Sequence, residues 1–484
     1  MEDTILVVDC GTTSLRFSLV SKTGQTVTTR RAVVPAHHDA DGISWDGNAI
    51  ASCILREVEA LVGDEPIAGI AIANQRTTCL VWDAQTSQVL GPVLSWSDGR
   101  TRDLDRALRG QGVRHVANLT GSKLRWLLDR VDPDRALSNS GRLKGGTLDS
   151  WIVWTLSGGK RHLSDHVNAS HSGLFDIRKL AWDDALAASM GVPLAILPSL
   201  VPCTGPFGAA EAVRGQPPIL ALIGDQQASL LGQGCVKPGA TKITFGTVGV
   251  VSSVLGSQPL ASHGRAAFGN IALSTGQGVR YGVETSMQSA GSAIEWLIRT
   301  GLLDDASNID ALVDPTHRSE AIFVSALDGL GAPHWKPAAR AAFMGLSSAN
   351  GRGDMARAVL DGIACATSEI LDLLEQATQL PLENISIDGG LSASRVFRDI
   401  LVTTAGRPMR HAAHIESTTF GAAVLGFLAL GHDLRPDDAD LWKAAAPILP
   451  HSGTKPGDRL AWREAVDAVL TLHERRIRQL RADE

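Results

Sequence analysis

Apolar positions along the chain follow two periods. Ile5-Leu-Val-Val-Asp9-Cys10 is a near-continuous apolar run, followed by Gly11-Thr12-Thr13-Ser14, a second run from Leu15 to Val20, and Lys22-Thr23-Gly24-Gln25. That order predicts an opening β-hairpin. Ala49 to Val62 carries apolar residues at helical spacing, and Ile67 to Ala73 reads as a short buried strand. The alternation of strands and helices continues to about residue 235 and predicts an α/β class. A second strand and turn, Thr241 to Gly249, precedes helical stretches over Met287 to Gly301, Asp354 to Ala377 and Thr419 to Leu430. A further strand, Ile385 to Asp388, runs into Gly389-Gly390. A strand ending in a Gly-Thr loop thus occurs in both halves, which predicts a duplicated fold with a cleft between two lobes. The turn Lys237-Pro238-Gly239 divides the chain into lobes 1–237 and 238–484. The last ~45 residues read as a charged, helical capping element.

The chain has 484 residues, of which 44% are hydrophobic, so a large core is available. Its formal net charge of −6 argues against a nucleic-acid partner or an anionic membrane surface. Glycine accounts for 49 residues, an excess that points to tight turns and backbone-lined sites. The six cysteines are scattered without a C-x-x-C pair, so neither a zinc site nor a disulfide framework is expected. The longest uncharged apolar run, Phe420 to Leu430, is well short of the ~20 residues of a membrane span. With an acidic start and no leader pattern, the expectation is a cytoplasmic protein.

Three glycine-rich turns carry candidate chemistry. Asp9-Cys-Gly11-Thr12-Thr13-Ser14 joins a carboxylate to a glycine and three hydroxyls, with Arg16 two residues on. Such a loop suits a phosphate, with the carboxylate holding Mg²⁺ through water, and it equally suits an ordinary hairpin turn. Gly246-Thr247-Val-Gly249 and Asp388-Gly389-Gly390 are the other two turns. Together the three fit a nucleotide better than any one alone. Neither a P-loop nor a dinucleotide-binding fingerprint is present. Asp225-Gln226-Gln227 follows an apolar strand, so Asp225 suits a general base for a hydroxyl, a cap for the helix beginning near Gln226, or both together. Asn74-Gln75-Arg76-Thr77-Thr78 and Ser95-Trp96-Ser97-Asp98-Gly99-Arg100 offer groups for a small hydroxylated ligand. His411-x-x-His414 lacks partners for a metal site.

With these residues in view, the chain resembles the FGGY carbohydrate kinases, from Val8 to about Gly431. Ala341-Ala-Phe-Met-Gly345-Leu346, followed by Asp354 to Asp361, is similar to the family's C-terminal signature. Gly146-Thr-Leu-Asp149-Ser-Trp151, Asp165-His-Val-Asn168-Ala-Ser170 and Gly329-Leu-Gly-Ala-Pro333-His-Trp335 resemble its glycerol-kinase branch. The resemblance implies two actin-like, ribonuclease H-like ATPase lobes that close on ATP, Mg²⁺ and a small polyol or sugar. It implies transfer of the γ-phosphoryl group to a primary hydroxyl, and a homo-oligomer, dimer or tetramer, is compatible with it. By position it makes Asp225 the catalytic base and gives Asp9 and Asp225 to the metal. Thr12, Thr13 and Arg16 match the phosphate-facing loop. Gly246, Thr247, Gly291, Gly389 and Gly390 match the nucleotide contacts, and Ser394 stands beside the adenine in place of a usual asparagine. Arg76, Thr77, Trp96, Asp225 and Gln226 match the acceptor contacts.

Some of these positions depart from the branch. Thr77 stands where it carries a glutamate, no tyrosine matches near Leu119-Thr120-Gly121-Ser122, and Val250 aligns with a pocket phenylalanine. A site that has lost a buried partner for a substrate hydroxyl discriminates differently. The expectation is an acceptor pocket altered in favour of a four- or five-carbon polyol or ketose. The alternatives are glycerol itself, a ketopentose acceptor, and, remotely, an actin-fold ATPase that is not a kinase.

Overall fold

The structure is a computed structural model that describes residues 4–40, 42–63, 66–113, 119–260, 267–412, 416–432 and 447–482. Its α/β chain forms two compact units. The first comprises the described residues of 1–234, 270–281 and 416–442, the second those of 235–269, 282–415 and 443–484. The first join lies close to the turn at Lys237, but two later segments return to the first unit, so neither unit is one continuous stretch.

In the first unit, the opening hairpin is β1 (Thr4–Cys10) and β2 (Leu15–Ser21), continued by β3 (Thr26–Ala32). Helix α1 (Gly47–Val62) starts where Asp46 accepts hydrogen bonds from the amides of Asn48 and Ala49, and stops at Gly63 with φ 57°. It leads to β4 (Gly69–Asn74) and then to β5 (Cys79–Asp83), which lies in a second sheet. Helix α2 (Thr120–Val131) packs Leu124, Leu127 and Leu128 inward. Strand β6 (Ile219–Gly224) and helix α3 (Asp225–Gly232) close this stretch. The five-stranded sheet has the order β6-β4-β1-β2-β3. β1, β4 and β6 are parallel, and every residue from Ile5 to Val8, Ile70 to Ala73 and Ile219 to Ile223 is at most 3% exposed. Strands buried on both faces read as unbroken apolar runs, which is why they were visible in the sequence. The exposed edge strand β3 carries Arg30 and Arg31, a composition that discourages pairing with another sheet.

Register places the ends of the parallel strands level. Asp9 pairs with Ala73, Cys10 with Asn74, and Gly224 with Asn74. Asp9, Gln75-Arg76 and Asp225 therefore leave the sheet at one edge, the carboxyl end where open α/β sheets bind ligands.

In the second unit, β7 (Ala240–Phe245) pairs antiparallel with β8 (Gly249–Gly256) and parallel with a later strand. The stretch expected to be helical from Met287 is different. Met287 closes strand β9 (Gly278–Met287), and helix α4 (Gly291–Arg299) begins four residues later. Helix α5 (Arg352–Thr378) opens with Asp354 accepting the amide of Gly351 at 2.9 Å. The strand parallel to β7 is β10 (Glu383–Asp388), followed by α6 (Arg395–Ala405) and β11 (Met409–His411). Ile243, Phe245, Val359, Ile363, Phe397 and Ile400 belong to one buried core.

Helix α7 (Ser417–Ala429) belongs to the first unit and accounts for the apolar run near residue 420. It crosses α3 so closely that a Cβ on Gly421 would stand 1.9 Å from the carbonyl oxygen of Ala228. A Cβ on Gly232 would meet the oxygen of Ser417 at the same distance. The C-terminal helix α8 (Arg459–Ala482) covers the second unit with Trp462, Val466 and Val469. Among the described residues, no helix is long and apolar enough to cross a membrane.

Candidate active site

One set of candidate residues gathers at the strand ends of the first unit. Burial raises the Asp9 carboxyl to about 7, with Arg16 pulling it down and the Asp225 and Glu416 carboxylates pushing it up. Arg16 Nη1 lies 3.6 Å from Asp9 Oδ2 and forms a short ion pair with Glu416, a residue that the sequence reading did not single out. Arg31 reaches the other oxygen of Glu416 at 3.1 Å. Asp225 is the first residue of α3, with Gly224 in the capping position. Its Oδ1 accepts the amide of Gln226 at 2.8 Å and lies 3.7 Å from Arg76 Nε. Gln226 is half-buried beside it on the first turn.

Arg76 is held from behind. Its Nη1 lies 2.6 Å from His171 Nε2 and 3.4 Å from Gln227 Oε1. His171 Nδ1 faces the carbonyl oxygen of Val167 at 2.9 Å. A ring nitrogen against a carbonyl must carry the proton, so Nε2 is an acceptor and takes the Arg76 guanidinium. Deeper still, Asn74 and Asn168 exchange hydrogen bonds at 3.0 and 3.1 Å, and Asn168 Nδ2 donates to Asp165 at 2.6 Å. Burial, and then the neighbouring Asp149 carboxylate, raise the Asp165 carboxyl above the usual carboxylate range. The Asp149 to Ser170 region is therefore a buried polar support behind Arg76.

Trp96 joins this edge to the glycine loop. Its Nε1–H donates to Thr12 Oγ1 at 3.0 Å, and the Thr12 hydroxyl donates to Gln75 Oε1 at 3.1 Å. Thr13 is exposed. Thr77 sits at φ 60°, a left-handed conformation that costs a β-branched residue on the order of 1–2 kcal/mol. Asp9 thus pairs with Arg16, Trp96 with Thr12 and through it Gln75, and Arg76 with Asp225, all at the same edge of the sheet.

A separate set of candidate residues lies on the second unit. The turn between β7 and β8 contains Gly246 and the exposed Thr247. The Gly246 oxygen accepts the Gly291 amide at 2.8 Å, and the Thr247 oxygen accepts the amides of Ala290 and Ser292 at 3.1 and 3.2 Å. Gly389 has φ 90° and passes so near Phe245 that a Cβ would lie 2.5 Å from its oxygen. Gly390 opens onto free space on its Cβ side, and Gly246 meets only one atom there, at 3.7 Å. Two bare backbone turns of this kind fit the sugar-phosphate of a nucleotide. The Ser394 hydroxyl is engaged elsewhere: it caps α6 through the Phe397 amide at 3.0 Å and bonds Asp310.

The carboxylates of Asp9 and Asp225, both at the carboxyl edge of the sheet, are hard oxygen donors of the kind that suit Mg²⁺ through water. Among the described residues, no group of three or more His, Cys, Asp or Glu side chains forms a metal cage. His411 lies 3.3 Å from the Ser392 hydroxyl, and His414 falls outside the described residues.

Carboxylates at the carboxyl edge of one sheet, and bare glycine turns on the other α/β unit, are the features that a phosphotransferase of actin-like architecture uses. The model of the N-terminal domain of the FGGY carbohydrate kinases matches residues 4–232, and that of the C-terminal domain matches 241–430. A glycerol kinase of Geobacter sp. strain M21 is 36% identical over 451 residues, covering 88% of this chain and 90% of the relative. One from Thermus brockianus is 33% identical, covering 96% and 98%. The solved Plasmodium falciparum glycerol kinase with ADP superposes with a TM-score of 0.86 at 25% identity, covering 96% and 98%. A xylulose kinase structure from Lactobacillus acidophilus shares the fold at a TM-score of 0.82 and 18% identity, covering 97% and 98%. The chain belongs to the FGGY family of carbohydrate kinases, phosphotransferases with an alcohol acceptor, and is glycerol kinase-like.

Proposed function

We propose that this kinase transfers the γ-phosphoryl group of ATP to a primary hydroxyl of a four- or five-carbon polyol or ketose. The observation that carries the reading is Asp225, held beside Arg76 at 3.7 Å at the carboxyl edge of the sheet. Its carboxylate takes the proton as the acceptor oxygen bonds to Pγ and the bond from Pγ to the β–γ bridging oxygen breaks, releasing ADP. Arg76, Trp96 and Gln226 orient the acceptor, and Thr13 and Arg16 face the phosphoryl oxygens. Gly246, Thr247, Gly291, Gly389 and Gly390 shape the nucleotide site, with Ser394 at its margin. Asp9 and Asp225 would hold Mg²⁺ there, which when bound would neutralise charge on the phosphoryl group.

The choice of acceptor rests on Thr77 and Val250, both smaller than the residues that the glycerol-kinase branch carries there. A second reading, glycerol as acceptor, draws on the relatives that bear that name. ADP release with ATP and Mg²⁺ across glycerol, erythritol, pentitols, dihydroxyacetone, ketopentoses and ketohexoses separates them. The expected result is a four- or five-carbon acceptor with the highest kcat/KM. Thr77→Glu should then shift the ratio toward glycerol by about tenfold or more. Glycerol as the best acceptor of the unaltered protein overturns the altered-pocket reading.

A further inference from the structure

We propose that Lys123 is a positioning residue whose ammonium clamps two backbone loops and so sets the wall made by Arg76, Thr77 and Trp96. That the wall meets the acceptor rests on the function proposed above.

Lys123 lies on α2 and is fully buried, at 0% exposure. Its Nζ donates to the carbonyl oxygen of Thr77 at 3.2 Å and to that of Ser95 at 2.8 Å. One carbonyl belongs to the strained Thr77 and follows Arg76, and the other immediately precedes Trp96. Thr120, one turn earlier on the same helix, adds a hydroxyl donor to the Thr77 oxygen at 3.3 Å. Those two donors fix the plane of the peptide after Thr77, the place where a β-branched residue would otherwise relax out of the left-handed region.

The helix itself is firmly seated, since Leu124, Leu127 and Leu128 are at most 1% exposed. It meets the second loop again through Trp126, whose ring lies 5.2 Å from the Arg100 guanidinium carbon. Arg100 in turn donates to Asp98 at 2.7 Å. Cys79, Asp98 and Asp105 are the titratable groups that face the ammonium. An apolar side chain of similar length would fill the same volume without the cost of burying a charge. A lysine here therefore serves geometry rather than packing.

The test uses Lys123→Met in the full chain, followed by amide hydrogen exchange and by kinetics. Exchange in residues 75–80 and 94–100 should rise about tenfold, the factor that one lost charge-assisted hydrogen bond represents, with residues 4–10 unchanged. The KM of the best acceptor should rise by about the same factor while the KM of ATP stays put. Faster exchange with an unmoved acceptor KM upholds the clamp and overturns the wall as the acceptor site. Unchanged exchange in both segments of a folded variant overturns the clamp. Should Lys123→Met fail to fold, Thr120→Val removes the other donor. Faster exchange confined to 75–80 then supports the clamp, and none overturns it.

Discussion

His171 Nε2 accepts the guanidinium of Arg76 at 2.6 Å, and the proton that makes this acceptor is fixed on Nδ1 by the carbonyl of Val167. Arg76 is thereby aimed from behind at Asp225. His171→Leu leaves the guanidinium without that acceptor and should raise the acceptor KM about tenfold. His171→Gln restores an acceptor oxygen and should recover most of the loss. Equal damage in both variants, measured by steady-state kinetics, would assign His171 to packing alone.

Asp225→Asn keeps the size and the Gln226 contact but removes the proton acceptor. Loss of a general base lowers kcat by ~10²–10⁴. ATP binding, followed by equilibrium titration, should be nearly intact. Near-normal turnover would show that another group takes the proton.

The crossing of α3 and α7 makes a stability prediction. A methyl at Gly421 falls 1.9 Å from a backbone oxygen that no rotamer change can move. Gly421→Ala should cost at least ~1–3 kcal/mol, read as a lower Tm. Gly110 ends a helix with no atom within 4 Å of its Cβ position. Gly110→Ala is expected to be neutral or to stabilise by up to ~1 kcal/mol.

Burial raises the Asp361 carboxyl from 3.8 to about 6, against the pull of Arg357, whose Nε donates to it at 2.9 Å. The folded state therefore holds this proton more tightly than the unfolded chain. The resulting stability is fully present below about pH 4 and is lost as pH rises through about 6. Asp361→Asn removes the linkage. The stability difference between the native protein and the variant, from denaturant unfolding, should change by up to about 3 kcal/mol across that window. Parallel pH curves would refute it.

What the sequence could disclose follows from its physics. The parallel strands were legible because burial on both faces demands unbroken apolar runs, and Asp225 because an acid follows such a run directly. The start of α4 departs from the periodicity because Met287 supplies an apolar residue at helical spacing while belonging to a strand. Lys123 was invisible, since a hydrophobic pattern treats a lysine on an amphipathic helix as a solvent-facing residue. The left-handed backbone at Thr77 was hidden for the opposite reason, because no β-branched residue advertises that conformation. Glu416 declared nothing either, its partner Arg16 being 400 positions away.

Helix α7 enters the first unit only after the chain has passed through most of the second. On the ribosome, β1, β4 and β6 are made early, yet helix α7, which packs on them, emerges only late in synthesis. The usual order, in which an N-terminal domain folds while the rest is still being made, is unavailable to this protein. Its first unit must wait, with apolar sheet surface uncovered, for nearly the whole chain. Growth temperature and chaperone supply should therefore govern the yield of active kinase more than the stability of the finished fold does.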